Sequence, residues 1–193
     1  ETVFGSAPLL ISIASPVIVL RVTVEIVAEL FSIPIPRAPD WSMSRLLRVM
    51  STESMSMMAA VAGATKRLKF GMNVVVLPFR DPMLLAKECA TIDFISEGRL
   101  LPAFGVGAQI APEWGAQHRT PKGRGRQSDE ALALMQRFWT EESVTHDGEF
   151  YQYTNASVSP KPVQDPIPLW IGGSSKAAIR RTAEIGSFAA AAD

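Results

Sequence analysis

The stretch KFGMNVVVLPFRDP, Lys69 to Pro82, decides the fold. From Leu68 to Pro78 nearly every position is apolar. Strands of that kind are buried on both faces, as in parallel sheets covered by helices. Asp81-Pro82 then reads as a helix start, with aspartate as N-cap and proline at the first helical position. The helix PMLLAKECATIDFIS is expected to end at Gly98, a residue suited to helix C-termini. RLLPAFGVG follows as a second buried strand. Strand, helix and strand at this spacing form a βαβ unit, whose crossover is right-handed in nearly all proteins. One residue does not fit. Asn73, a polar residue with poor strand propensity, sits between Met72 and three valines.

Outward from this unit, the pattern continues in kind. Residues 22–35 alternate and are rich in β-branched residues, which predicts a strand. Pro34, Pro36 and Pro39 break it. Between Trp41 and Met58 lie Met43, Met50, Met55, Met57 and Met58, read as flexible core filler or as part of a lid. MMAAVAGATKRL reads as the last turns of a helix. After Gly107 the chain is irregular to about Gln127. SDEALALMQRFWTEE is then an amphipathic helix with Ser128 as N-cap and Asp129 and Glu130 at the positive end of its dipole. SVTHDGEFYQY reads as a hairpin around Asp147-Gly148. A proline-spaced linker leads to LWIGG, a buried strand. The helix SSKAAIRRTAEIG closes at Gly186, and SFAAAAD begins another strand. The alternation predicts an α/β fold with parallel strands. With five or six core strands, either the sheet is open or most of a barrel is present. A closed eight-stranded barrel takes about 250 residues.

The bulk properties exclude several functions. The 193 residues suit one domain over 1–193, and 47% are apolar. Lys+Arg and Asp+Glu balance at 19 each. This leaves no electrostatic footprint for nucleic acid or an anionic membrane. The single cysteine, Cys89, precludes an intrachain disulfide and suits a reducing, cytoplasmic setting. The apolar run 8–20 contains Pro16 and is too short for a membrane span. It is expected to be a buried element, or the remnant of a leader. The first residue is Glu1, so a processed product or a fragment is expected. One cysteine and two distant histidines, His118 and His146, predict no metal site.

In α/β folds ligands lie at the C-terminal ends of the strands. Three such ends carry candidate residues: Asn73 to Pro78, Phe104 to Gln109, and Ile171 to Ser175. In IGGSS, Gly172 and Gly173 allow close approach. The helix terminus beyond them favours an anion, and Ser174 and Ser175 add hydroxyl donors. The plain alternative is a tight turn with a serine cap. In FGVG, Gly105 and Gly107 either relieve crowding or let a flat ligand lie against the strand end. The dinucleotide motif would require a third glycine and an immediate helix. The basic run HRTPKGRGR, 118–126, is read as solvated, or as a holder for an anionic tail.

The three strand ends together resemble a known family. ATKRLKFGMNVVVLPFRDPMLLAKECATIDFISEGRLLPAFGVG resembles the central signature of the luciferase-like flavin and deazaflavin oxidoreductases. GRGRQSDEALALMQRFWTEESVTHDGEFYQY and SPKPVQDPIPLWIGGSSKAAIRRTAEIG continue in the family's order. The LPFRDP and PKPVQ segments resemble the subgroup that uses coenzyme F420. The resemblance implies a (β/α)8 TIM barrel, here incomplete. It implies a cofactor ring at the C-terminal mouth. For Asn73 it implies a non-proline cis peptide, Asn73–Val74, backing the ring. Such a bond costs about 3–4 kcal/mol and persists at functional sites. Gly105, Val106, Gly107 and Ala108 would line the ring or ribityl chain. Gly172, Gly173, Ser174 and Ser175 would contact the cofactor phosphate.

The resemblance departs from the family at AELFSIP. Members carry an acidic residue followed by histidine, and here Leu30 follows Glu29. Glu29 remains the candidate general acid. The expected function is hydride transfer between F420 and an organic small molecule. The alternatives are an FMN-dependent monooxygenase, in which reduced flavin activates oxygen, and a non-catalytic fragment or pseudoenzyme. Open barrel edges would favour a homodimer.

Overall fold

The computed structural model describes residues 53–72, 74–185 and 188–190. The expectations for residues 1–52 and for Gly186 lie outside them. The described residues belong to one compact unit, Glu53–Asp193.

The first helix, α1 (Ser54–Ala64), starts where the Glu53 side chain accepts the Ser56 N–H at 2.8 Å. It buries Met55, Met58, Val61 and Ala62. Of its methionines, Met55 and Met58 are therefore core filler. The apolar stretch that follows is a shorter strand than the sequence predicts. Phe70 forms an isolated parallel bridge with Leu100. At Gly71 a Cβ would stand 2.0 Å from the Leu101 carbonyl oxygen, so only glycine fits. The strand β1 covers only Val75–Val76. Leu77–Phe79 then curls into a 3-10 turn, with Pro78 at its start. Proline has no N–H for the ladder, which is why the strand stops there rather than at Pro78.

The next helix, α2 (Pro82–Ser96), begins as expected. Asp81 Oδ1 accepts the Leu84 N–H at 2.9 Å. It covers the expected PMLLAKECATIDFIS, and its left-handed end takes in one residue before the glycine. Glu97 itself takes the left-handed conformation, at φ 57° and ψ 47°, and Gly98 follows at φ 79°. The Gly98 N–H reaches back to the Asp93 carbonyl at 2.9 Å.

Strand β2 (Ala103–Gly105) pairs in parallel with β1, Val75 opposite Phe104. The short helix α3 (Glu113–Ala116) and the long helix α4 (Arg124–Thr140) follow. The expected start of α4 at Ser128 is corrected. The helix begins one turn earlier, after Gly123 at φ 80°. Ser128 is buried inside it, with its hydroxyl donating to the Arg124 carbonyl. Asp129 and Glu130 are taken by tertiary partners instead of the dipole. Asp129 pairs with Arg181. Glu130 accepts the N–H groups of Phe150 and Tyr151 and contacts His146 at 2.9 Å.

The hairpin of β3 (Val144–Asp147) and β4 (Gln152–Ala156) is antiparallel, as read. The proline-spaced segment after it is no loose linker. The buried Asp93 carboxylate accepts the Val163 and Gln164 N–H groups at 2.8 and 2.9 Å, and the Gln164 amide at 2.6 Å. Strand β5 (Trp170–Gly172), helix α5 (Lys176–Glu184) and strand β6 (Phe188–Ala190) complete the chain. The sheet order is β1-β2-β5-β6, parallel throughout. This is the α/β fold expected. Among the described residues no helix is long and apolar enough to cross a membrane.

Arg99 fixes the edge from which β2 starts. Its Nε donates to the Ser96 carbonyl at 2.6 Å. Nη1 donates to the Thr65 hydroxyl and the Leu68 carbonyl, and Nη2 to the Ala62 and Thr65 carbonyls, all within 2.9 Å. The guanidinium lies 5.4 Å from the Phe70 ring centre. Arg99→Lys supplies one point charge in place of a planar fork. Arg99→Ala is expected to lower stability by about 2–3 kcal/mol, and Arg99→Lys to recover less than half of it. Urea unfolding of the three proteins measures this, and a fully restored lysine variant would contradict it.

Candidate functional site

Parallel strands point their C-terminal ends to one edge of the sheet. Val74 adjoins β1, Gly105 to Ala108 end β2, and Gly172 to Ser175 follow β5. The described candidates after β2 and β5 therefore share that edge, while Val74 precedes β1 and reaches Gly105 and Gly172 with its side chain. Glu29, Asn73 and the Asn73–Val74 bond lie outside the described residues.

The glycines at this edge are explained by a valine. A Cβ on Gly105 would lie 2.8 Å from Val74 Cγ2, and one on Gly172 would lie 2.8 Å from Val74 Cγ1. The isopropyl group of Val74 thus occupies the space that two side chains would need. For Gly105 the crowding has a named source, Val74 Cγ2. Gly107 repeats the theme. Its missing Cβ faces Val76 Cγ1 at 2.9 Å and the Trp114 ring at 3.3 Å, and its φ is 76°. Gly105 is buried, Val74, Val106 and Gly107 are half-buried, and Ala108 is exposed.

The third strand end leads into α5. Gly173 has φ 110°, a conformation that L side chains rarely adopt. The Ser175 hydroxyl caps the helix by accepting the Ala178 N–H at 3.2 Å. The N–H groups of Lys176 and Ala177 have no acceptor within the helix. Ser174, Ser175 and Lys176 are exposed. The serine cap and the anion-compatible terminus coexist here.

A cleft of about 340 Å³ opens beside β1. It is lined by Ser54, Val74, Val75, Val76, Phe79, Arg80 and Gln117. Of the described cofactor candidates Val74 lines it, with Val75 and Val76 of the same candidate strand end. Phe79 and Arg80 belong to the LPFRDP signature, but their pattern carried no sign of a wall position. Gln117 and Trp114 fall in the segment read as irregular. Trp114 is 4% exposed, packs on Phe79 at 4.4 Å between ring centres, and donates its Nε1–H to the Ala108 carbonyl at 2.8 Å.

The basic run is mostly structural. Arg119 donates to the Pro78 carbonyl. Arg124 donates to the Gly107 carbonyl at 3.2 Å and to Pro121. Arg126 pairs with Glu149 at 2.7 Å. Lys122 is exposed.

Two carboxylates shape the electrostatics around the cleft. Asp81 accepts the Tyr153 hydroxyl at 2.9 Å, tying the hairpin to the start of α2. Burial and this aspartate together push the Tyr153 phenol above its ordinary range. Glu53 pairs with Arg80 at 2.6 Å. Burial alone would raise the Glu53 pKa. The N–H groups of Ser56 and Met55 and the Arg80 guanidinium outweigh it and hold the carboxyl down at about 2. Among the described residues no cluster of His, Cys, Asp and Glu could hold a metal ion.

A parallel α/β chain with its open edge built this way has known relatives. The family model described as luciferase-like monooxygenase matches residues 38–192. The chain belongs to that family. An uncharacterized protein of Mycobacterium tuberculosis is 32% identical over 149 residues, covering 77% of this chain and 51% of the relative. The F420-dependent glucose-6-phosphate dehydrogenase of Segniliparus rotundus is 29% identical over 136 residues, covering 69% of this chain and 40% of the relative. The crystal structure of monooxygenase RslO1 from Streptomyces bottropensis superposes with a TM-score of 0.64 at 27% identity. That match covers 69% of this chain and 41% of the other. The chain thus spans between 40% and 51% of the length of these relatives.

Two predictions test this geometry. Gly105→Ala and Gly172→Ala should each destabilise by about 1–3 kcal/mol through overpacking. Val74→Ala should suppress much of either loss, because it removes the methyl that clashes. Coupling near zero in the double-mutant cycle would refute the contact. The second concerns pH. A carboxylate with a depressed pKa contributes stability above its ordinary value of 4.5, and the contribution is lost as pH falls through about 2. Acidification across that window should loosen the start of α1, read as faster exchange of the Ser56 amide. Glu53→Gln should abolish the pH dependence.

Proposed function

We propose that the chain is part of an F420-dependent oxidoreductase barrel. It would move a hydride between the deazaflavin and an organic small molecule. One observation carries the reading. Motifs distant in sequence meet where the Val74 side chain fills the space over Gly105 and Gly172, at the C-terminal ends of β2 and β5, beside a cleft that Val74 also lines. The relation to an F420-dependent dehydrogenase supports the choice of cofactor.

When bound, F420 supplies a two-electron hydride carrier, and the protein's part is binding, orientation and exclusion of water. The residues present fit such a group. Gly173, Ser174 and the first N–H groups of α5 offer donors to a phosphate. The exposed side of Val74 gives a ring an apolar surface to rest on, since its other side fills the space over Gly105 and Gly172. Asn73 is assigned to the polar edge of the ring, and Gly105 to Ala108 to the ring and ribityl chain. The wall of Phe79, Arg80 and Gln117 is assigned to the substrate. Glu29 is the assigned proton donor. The four parallel strands, in chain order, would be one arc of a (β/α)8 barrel.

A second reading, FMN-dependent monooxygenation, is favoured by the likeness to a monooxygenase at 27% identity. Parallel fluorescence titrations with F420 and FMN separate the two. Saturable micromolar binding of F420 alone is the expected result. Gly173→Ala, which strains the turn before α5, should weaken it at least fivefold. Preference for FMN would move the assignment to the second reading. Binding of neither by a folded chain would overturn both and leave a non-catalytic relative of the family.

A further inference from the structure

We infer that Trp114 and Arg124 are positioning residues for the turn after β2, and that they aim the N–H groups of Ala108 and Gln109 at an oxygen acceptor on the cofactor. The inference rests on the reading that Gly105 to Ala108 line that cofactor.

Two donors from different helices take two successive carbonyls. Arg124, at the start of α4, donates Nε–H to the Gly107 carbonyl at 3.2 Å. Trp114, in α3, donates Nε1–H to the Ala108 carbonyl at 2.8 Å. A trans peptide is planar, so its N–H points away from its C=O. Fixing the Gly107 carbonyl therefore fixes the Ala108 N–H, and fixing the Ala108 carbonyl fixes the Gln109 N–H. Neither N–H has an acceptor among the described residues. Both residues are exposed at the strand edge. The chemistry they suit is a carbonyl or hydroxyl oxygen, such as a ring carbonyl or a ribityl hydroxyl.

The turn is backed by a packed side chain. Trp114 is almost wholly buried. Its ring lies 3.3 Å from where a Cβ on Gly107 would stand. On its other side it packs against Phe79, a wall of the cleft. Trp114 thus links the proposed substrate wall to the proposed cofactor turn. Its indole N–H acts by direction, and its ring by volume. The two contributions can be separated by mutation.

Trp114→Phe keeps an aromatic ring against Phe79 and removes only the donor. The full chain carrying it should melt within a few degrees of the parent. Amide exchange at Ala111, whose N–H bonds the Ala108 carbonyl at 3.3 Å, should quicken about fivefold, the worth of one hydrogen bond. F420 affinity should fall by a similar factor. The absorption maximum of the bound cofactor should also shift, which simple destabilisation would not produce. If Trp114→Phe fails to fold, Arg124→Met, which removes the donor to the neighbouring Gly107 carbonyl, makes the same test through cofactor affinity and spectrum. Unchanged exchange at Ala111 overturns the inference whatever the cofactor. So does unaltered affinity and spectrum in a variant with altered exchange. No binding of F420 or FMN by the parent chain would instead overturn the reading of the site, and the exchange experiment would still decide the ordering role of Trp114.

Discussion

The guanidinium of Arg99 is the constraint on which the rest of the fold depends. It satisfies carbonyls at the C-terminal end of α1, in the segment before Phe70 and at the end of α2. Helix C-termini leave carbonyls unpaired, and a cation there also suits the dipole. One planar cation therefore closes two helices and sets the start of two strands. Asp93 does the complementary work with N–H groups from the proline-spaced segment. With this edge of the sheet fixed by charged groups, the opposite edge is left to glycines, small polar residues and a cleft.

Where Val74 meets the ends of β2 and β5, packing and the proposed function share the same atoms. Val74 fills the space left by Gly105 and Gly172, so three strands are locked by one side chain. A larger residue at any of the three positions would push the strands apart. The short turn of Phe79 and the helix carrying Trp114 cover the next layer. The proposed cofactor surface is thus supported from beneath by contacts that serve stability in their own right.

Much of this was legible in the sequence, for local reasons. Asp81-Pro82 is a self-contained helix start. The apolar runs before and after it report burial on both faces. Asp147-Gly148 marks a hairpin by turn chemistry alone. What failed was information held by distant partners. Ser128-Asp129-Glu130 has the composition of a helix start, yet Arg181 and the hairpin N–H groups claim its acids, and the helix begins at Arg124. The strand near Asn73 looked long because apolar residues do not reveal a 3-10 turn. The glycines were recognisable as special, but not that a valine filled their space. Trp114 lay in a stretch without periodicity, and only its burial reveals its place.

The order of the sheet also bears on how the chain comes together. β1 and β2 pair through Val75 and Phe104, and β5 and β6 through Trp170 and Phe188. The pairing of β2 with β5 joins Ala103 to Trp170, 67 residues apart, the longest closure in the sheet. The entropy of closing a flexible loop grows with its length. Here the intervening segment is not flexible once Glu130 has drawn the hairpin onto α4, because both then move as one body. A carboxylate far from the strand ends thereby shortens the flexible chain that separates the two halves of the sheet.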